Sequence, residues 1–139
     1  LGGLFCVNKE KQFMGTSANQ QAVILFAHGS RDPLWRRPIE AVAHRMKQLS
    51  PQTEVACAYL ELSDPNLPSA VSQLVSHGIG NIRIVPMFLG VGKHAREDLP
   101  QLVQDLKGLY PHVSFELRQA VGEEPELIQS MAAIALRVN

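Results

Sequence analysis

The residues best suited to chemistry are two histidines and a glutamate. His28 stands in His28-Gly29-Ser30-Arg31-Asp32-Pro33, Glu61 closes Tyr59-Leu60-Glu61, and His94 ends the glycine-bearing stretch Leu89–His94 (LGVGKH). Imidazole ligates divalent transition metals and accepts protons near neutral pH, and a carboxylate does both in its own way. Each of the three has a plainer reading. A histidine after a strand can cap a helix or bond the backbone, and a glutamate can be a solvated surface charge. What raises them together is convergence, because groups with perturbed titration cluster at functional sites. His44, His77 and His112 are expected to be structural or surface residues.

Convergence depends on the elements around them. Ala22–Ala27 (AVILFA) is a continuous apolar run, as a strand buried on both faces requires. Leu34–Leu49 carries Trp35, Ile39, Val42, Met46 and Leu49 at helical spacing, and Ser50-Pro51 ends it. Glu54–Leu60 and Asn81–Phe88 read as the second and third strands, with Pro86 marking an end or irregularity in the latter. Between them Leu67–Ser76 is an amphipathic helix capped by Gly78. A helix over Arg96–Tyr110 follows, with Pro100 placed near its first turn, where proline is tolerated. Val113–Leu117 is a fourth strand. Pro125–Val138 is a last helix with Leu127, Ile128, Met131, Ile134 and Ala135 as its stripe.

Strands alternating with helices imply an α/β fold, a parallel sheet with helices on both faces. Right-handed crossovers leave strand order 2-1-3-4, a four-stranded flavodoxin-like sheet, as the simplest topology. Ligands in such sheets bind beyond the carboxyl ends of the strands where the order reverses, here between strands one and three. His28 and His94 belong to the loops of those two strands, and Glu61 reaches the same edge from strand two. Arg31, Arg36, Arg37, Lys93 and Arg96 flank the histidine loops. They are either a solvated surface or a site for a polyanion, since arginine presents a fork suited to carboxylates and phosphates.

Composition narrows the classes. The chain has 139 residues, 45% of them hydrophobic and 19% charged, which suits one globular domain. Thirteen Lys and Arg balance thirteen Asp and Glu, so no basic excess favours nucleic acid as a partner. No apolar run is long enough for a membrane span, and no signal-peptide pattern is read. Cys6 and Cys57 form no metal-binding pair, and a cytoplasmic location is expected. Residues 1–20 are expected to be a tail and 21–139 the single domain. A phosphate loop fails at Met87 and His94, and no dinucleotide fingerprint or serine-hydrolase elbow is present. A histidine phosphatase would place Arg before His28, where this chain has Ala27.

Three segments taken together carry a resemblance. Ile24–Pro33 (ILFAHGSRDP), Ala58–Glu61 (AYLE) and Val85–His94 (VPMFLGVGKH) resemble, in order and spacing, the sirohydrochlorin chelatases, class II chelatases of the CbiX/SirB type. The similarity spans Ala22 to Asn139. It implies a chelatase-like half domain that inserts Co²⁺ or Fe²⁺ into sirohydrochlorin, in cobalamin or siroheme biosynthesis. Ni²⁺ is a further candidate. The metal is substrate, and no tightly bound cofactor is implied. His28 and His94 match the family's metal-site histidines, and Glu61 matches the acidic residue near them. Ser30, Arg31 and Lys93 are candidate substrate contacts by position. A chain with one such domain resembles the short form, which implies a homodimer. The rival expectations are a non-catalytic metal or tetrapyrrole carrier and a His28-dependent phosphatase.

Overall fold

A computed structural model describes residues 20–138. The expected tail therefore lies, apart from Gln20, outside the described residues. Strands β1 (Gln21–Ala27), β2 (Glu54–Tyr59), β3 (Asn81–Pro86) and β4 (Ser114–Leu117) form one parallel sheet in the order β2-β1-β3-β4, as expected. Helices α1 (Arg37–Leu49), α2 (Leu67–Ser76), α3 (Lys93–Leu109) and α4 (Pro125–Leu136) connect or follow them. Short 3-10 turns at Pro33–Arg36 and Val121–Glu123 precede α1 and α4.

The apolar run of β1 has its physical reason in the ladder. β1 is central, with Ile24 opposite Ala56 on one side and Ile84 on the other. Alternate side chains then feed two different cores. Ile24, Phe26, Ile82, Ile84 and Phe115 point to the face covered by α2 and α3, where they meet Leu67, Val71, Leu99, Val103 and Leu106. Each such side chain fully buried contributes about 1.5–3 kcal/mol. Leu25 and Val55 point to the opposite face and meet Ala43 of α1 in a much smaller cluster. Asn66 caps α2 by accepting a hydrogen bond from the Ser69 backbone N–H at 2.9 Å, and Gly78 takes φ +87° where the chain leaves that helix.

Several boundaries differ from the sequence reading. β2 stops at Tyr59 and β3 at Pro86, so Leu60 and Met87–Phe88 belong to the rim loops. α3 begins at Lys93, behind a Gly92 cap that has no side-chain bond. Lys93 and His94 are thus in the first helical turn, and Pro100 lies inside the helix rather than near its start. The helix tolerates it because Arg96, whose carbonyl loses an N–H partner, and Pro100 itself both face solvent. Trp35, read at helical spacing with Ile39 and Met46, is 37% exposed and packs edge-on against Tyr59 at 6.3 Å, because the chain there is a 3-10 turn that sets its side chains off the α1 stripe. Met46 does pack against the smaller core. None of the α4 stripe is fully buried; Leu127 and Met131 are half-buried and Ile128, Ile134 and Ala135 are exposed.

Beneath Trp35, the Tyr59 phenol is pushed up to about 12, first by burial and then by the Cys57 thiol and Glu40 beside it. The folded state holds this proton at a pH where the unfolded chain, with a phenol near 10, has released it. The resulting stability is complete below about pH 10 and falls as pH rises toward 12. Phenolate absorbance is expected to show a late titrating step that Tyr59→Phe removes. A late step unchanged in that variant contradicts the assignment. Burial, followed by the Glu40 carboxylate, also raises the Cys57 thiol, which keeps it protonated and unreactive at neutral pH.

Candidate functional site

The carboxyl ends of β1, β2 and β3 bring the three candidates to one edge, and backbone pairing continues beyond the strands to join their loops. Leu60 N–H donates to the Ala27 carbonyl at 2.9 Å, and Glu61 N–H donates to the His28 carbonyl at 3.0 Å. Gly29 makes this possible. Its φ is +98°, and a Cβ there would lie 1.7 Å from the Glu61 carbonyl oxygen. The loops are tied again further out. Ser30 N–H donates to Ser63 Oγ at 3.1 Å, while Ser63 Oγ donates to the Ser30 carbonyl at 2.7 Å. Ser30 Oγ accepts from Asp32 N–H at 3.1 Å, which leaves its own proton free to donate.

The third strand contributes a wall and a second histidine. Phe88 is buried, and its ring lies against that of His28 with centroids 4.2 Å apart and planes at 31°. Met87 N–H donates to the Phe26 carbonyl at 2.7 Å, which carries the β1–β3 pairing one residue past β3. The chain then runs through Leu89–Gly92 into α3. The unpaired N–H groups of the first α3 turn, with Lys93 and His94 among them, give this edge a positive bias. His28, Glu61, Arg31, Lys93 and His94 are all exposed. Among the described residues, no three His, Cys, Asp or Glu side chains are grouped so as to hold a metal ion. Glu61 therefore shares the edge with the histidines without closing a three-ligand centre. His28 and His94 stand on the same edge, one just past β1 and the other at the start of the helix that follows β3.

Two features of the edge were not read from sequence. One is Gly122, in the turn before α4. Its N–H donates to the Phe88 carbonyl at 2.9 Å, and a Cβ there would stand 1.9 Å from the Leu89 carbonyl oxygen. It holds the backbone that presents Phe88 to His28 and leads to His94. Gly122→Ala is expected to push the Leu89 backbone aside and cost about 1–3 kcal/mol of stability. An unchanged thermal unfolding transition removes Gly122 from this role. No motif marks it; the only signal is a glycine between a strand and a helix start.

The other feature is apolar. Leu60, Leu62 and Leu89 are 50%, 53% and 68% exposed on these loops. Beside them an open groove of about 380 Å³ has Phe26, Leu60, Leu99 and Leu102 as its floor and His94 and Asp98 on its border. The signal was the strand ends themselves: leucines just past a strand have no core left to enter. The edge thus combines ligating nitrogen, cationic groups and uncovered hydrocarbon. His77 caps α2 at the opposite end of the sheet, and His44 pairs with Gln48 at 3.3 Å on exposed α1, as their expected minor roles require. Ala27, buried at the end of β1, stands where a histidine phosphatase would place an arginine.

Comparison with known proteins agrees with this geometry. The sirohydrochlorin cobaltochelatase of Methanopyrus kandleri is 33% identical over 82 residues, 59% of this chain and 57% of that protein. The sirohydrochlorin ferrochelatase of Bacillus subtilis is 24% identical over 112 residues, 81% of this chain and 43% of that protein. The matched region spans between about half and two thirds of the archaeal relatives' length. The crystal structure of the CbiX protein of Marinobacter aquaeolei superposes with a TM-score of 0.73 at 30% identity, covering 83% of this chain and 93% of that one. The sirohydrochlorin chelatase SirB of Bacillus subtilis subspecies spizizenii, solved with cobalt, shares the fold at a TM-score of 0.70 and 23% identity, covering 82% and 49%. The CbiX family model matches residues 22–136, nearly the whole described domain, and the chain belongs to the CbiX family.

Proposed function

We propose that this chain inserts a divalent metal, Co²⁺ or Fe²⁺, into sirohydrochlorin. The observation that carries the reading is the edge shared by His28 and His94, with cationic and uncovered apolar groups around it. A tetrapyrrole is a flat apolar ring bordered by carboxylates. Leu60, Leu62 and Leu89 suit its face, and Arg31, Lys93, the Ser30 hydroxyl and the first turn of α3 suit its carboxylates. The relatives' names, cobaltochelatase and ferrochelatase, point to the same substrate and metals.

Insertion exchanges two pyrrole protons for one metal ion. The metal must be held firmly enough to be positioned and loosely enough to leave. Neutral imidazole meets that demand for Co²⁺ and Fe²⁺, and for Ni²⁺ as a further candidate. In this account His28 and His94 present the metal, Glu61, tied to the His28 loop through its backbone, takes up one released proton, and an imidazole freed as the ion leaves takes the other. A positioned base contributes about 10²–10⁴-fold in rate. The metal is substrate throughout, and the account needs no resident cofactor.

A groove of about 380 Å³ takes an edge of the macrocycle rather than enclosing it. Two copies of the chain, each lending its edge, enclose it better, so the working form in this account is a homodimer in the cytoplasm. Its product enters cobalamin or siroheme formation. Sirohydrochlorin's optical spectrum is expected to convert with Co²⁺ and Fe²⁺ through many turnovers per chain above the spontaneous rate. Conversion limited to one equivalent, or no faster than background, moves the protein to the carrier reading.

A further inference from the structure

One residue of the carboxyl edge is held in a backbone conformation that its type disfavours. Leu62 has φ +64°, and among the described residues it alone, glycines apart, has a positive φ. Ser63 N–H donates across it to the Glu61 carbonyl at 2.8 Å, so Leu62 is the centre of a γ-turn of the rare, strained hand. Glycine or asparagine takes a positive φ at much lower cost. The leucine also gains little from the fold, since it is 53% exposed and belongs to neither apolar core. The turn cannot relax, because its neighbours are tied down on both sides. Glu61 N–H donates to the His28 carbonyl at 3.0 Å. Ser63 Oγ donates to the Ser30 carbonyl at 2.7 Å and accepts from Ser30 N–H at 3.1 Å. Tyr59 N–H donates to the Pro65 carbonyl at 2.9 Å and closes the loop around the turn.

We infer that Leu62 is a substrate-holding residue, whose side chain packs on the apolar face of the sirohydrochlorin ring. Strain of this kind persists only where the surroundings over-determine it, and it concentrates where ligands are held. Here every bond that locks the turn from outside its own loop runs to the loop that carries His28. A ring resting on Leu62 is therefore placed relative to the imidazole that presents the metal. The same leucine on a loose loop would touch the ring without fixing it, and a glycine in the same turn would fix nothing. Leu60 and Leu89, the other uncovered leucines of this edge, carry no such constraint, since neither has a positive φ. Leu60 instead belongs to the floor of the groove beside His94.

The inference rests on the proposed function and narrows its ring contact to one side chain. Leu62→Asn separates this role from a structural one, because stability and binding should move in opposite directions. Asparagine accepts the turn, so thermal unfolding is expected at the parent temperature or above it. Sirohydrochlorin binding without metal, followed by titrating the ring's absorption spectrum, is expected to weaken about 10-fold, the scale of covering the exposed half of a leucine. Leu62→Met keeps an apolar side chain of similar volume and is expected to stay within about threefold of the parent affinity. Turnover with Co²⁺ is measured beside binding. A parent chain that binds the ring without turning it over, with affinity lost in Leu62→Asn, contradicts metal insertion and supports the contact. Unchanged affinity in Leu62→Asn overturns the contact even where the parent turns over. A lowered unfolding temperature in that variant, which assigns the leucine to the fold, or an equal loss of affinity in Leu62→Met overturns it as well. A parent chain that does not bind the ring overturns both readings.

Discussion

His28→Ala and His94→Ala are each expected to reduce metal insertion by about 10²–10⁴-fold while leaving the fold intact. The size follows from what each imidazole does in the account. It presents the metal to the ring, and only after the ion has left can the freed nitrogen accept one of the two ring protons. The preserved fold follows from exposure. His94 lies in the solvent-facing first turn of α3, and His28 is exposed with its ring against the buried Phe88. Losing that ring contact costs about 0.5–1.5 kcal/mol. Glu61→Gln is expected to reduce the rate less, because it removes a proton acceptor and leaves both imidazoles. Steady-state rates on folded variants check this ordering. A His94→Ala chain that keeps most of its rate removes that residue from the mechanism.

The largest stability effect is expected at Gly29. Alanine there meets two penalties at once. The backbone has φ +98°, which side chains rarely adopt, and the new methyl would lie 1.7 Å from the Glu61 carbonyl oxygen and 3.3 Å from Tyr59 Cβ. Backbone strain and forced separation of two loops each cost about 1–3 kcal/mol, so Gly29→Ala is expected to lose roughly 3–5 kcal/mol. For a domain of this size that lowers Tm by about 10–20 °C. The same separation carries Glu61 away from His28, so activity should fall even where the variant stays folded. A loss under about 1 kcal/mol in thermal unfolding means the loops can part freely and the close approach is not required.

Gly29 and Gly122 also show where sequence reading ends. The alternation of apolar runs with helical stripes was enough for four parallel strands in the order 2-1-3-4, because a run such as AVILFA is stable only where both faces are covered. That topology placed His28, Glu61 and His94 on one edge before any coordinate was needed. Three things were not legible. The start of α3 was misplaced because its cap is a glycine with no side-chain bond, and Lys93-His94 reads equally well as loop. The support that Gly122 gives to Leu89 joins positions more than thirty residues apart, and no local pattern encodes it. The fate of α4 was the third. Periodicity marks an apolar stripe on α4, but it does not say whether the fold covers it, and Ile128 and Ile134 stay exposed while Leu127 is half-buried.

The central claim is that one metal is presented by His28 and His94 at the carboxyl edge of the sheet. Anomalous diffraction from crystals grown with Co²⁺ tests it most directly. The account predicts a cobalt peak with a nitrogen of each imidazole about 2.1 Å away, near the range seen for imidazole on comparable divalent metals. The peak should disappear in His28→Ala and in His94→Ala. Cobalt bound elsewhere, for example in the cleft of Glu40, His44 and Cys57 between α1 and β2, with the carboxyl edge empty, would contradict it.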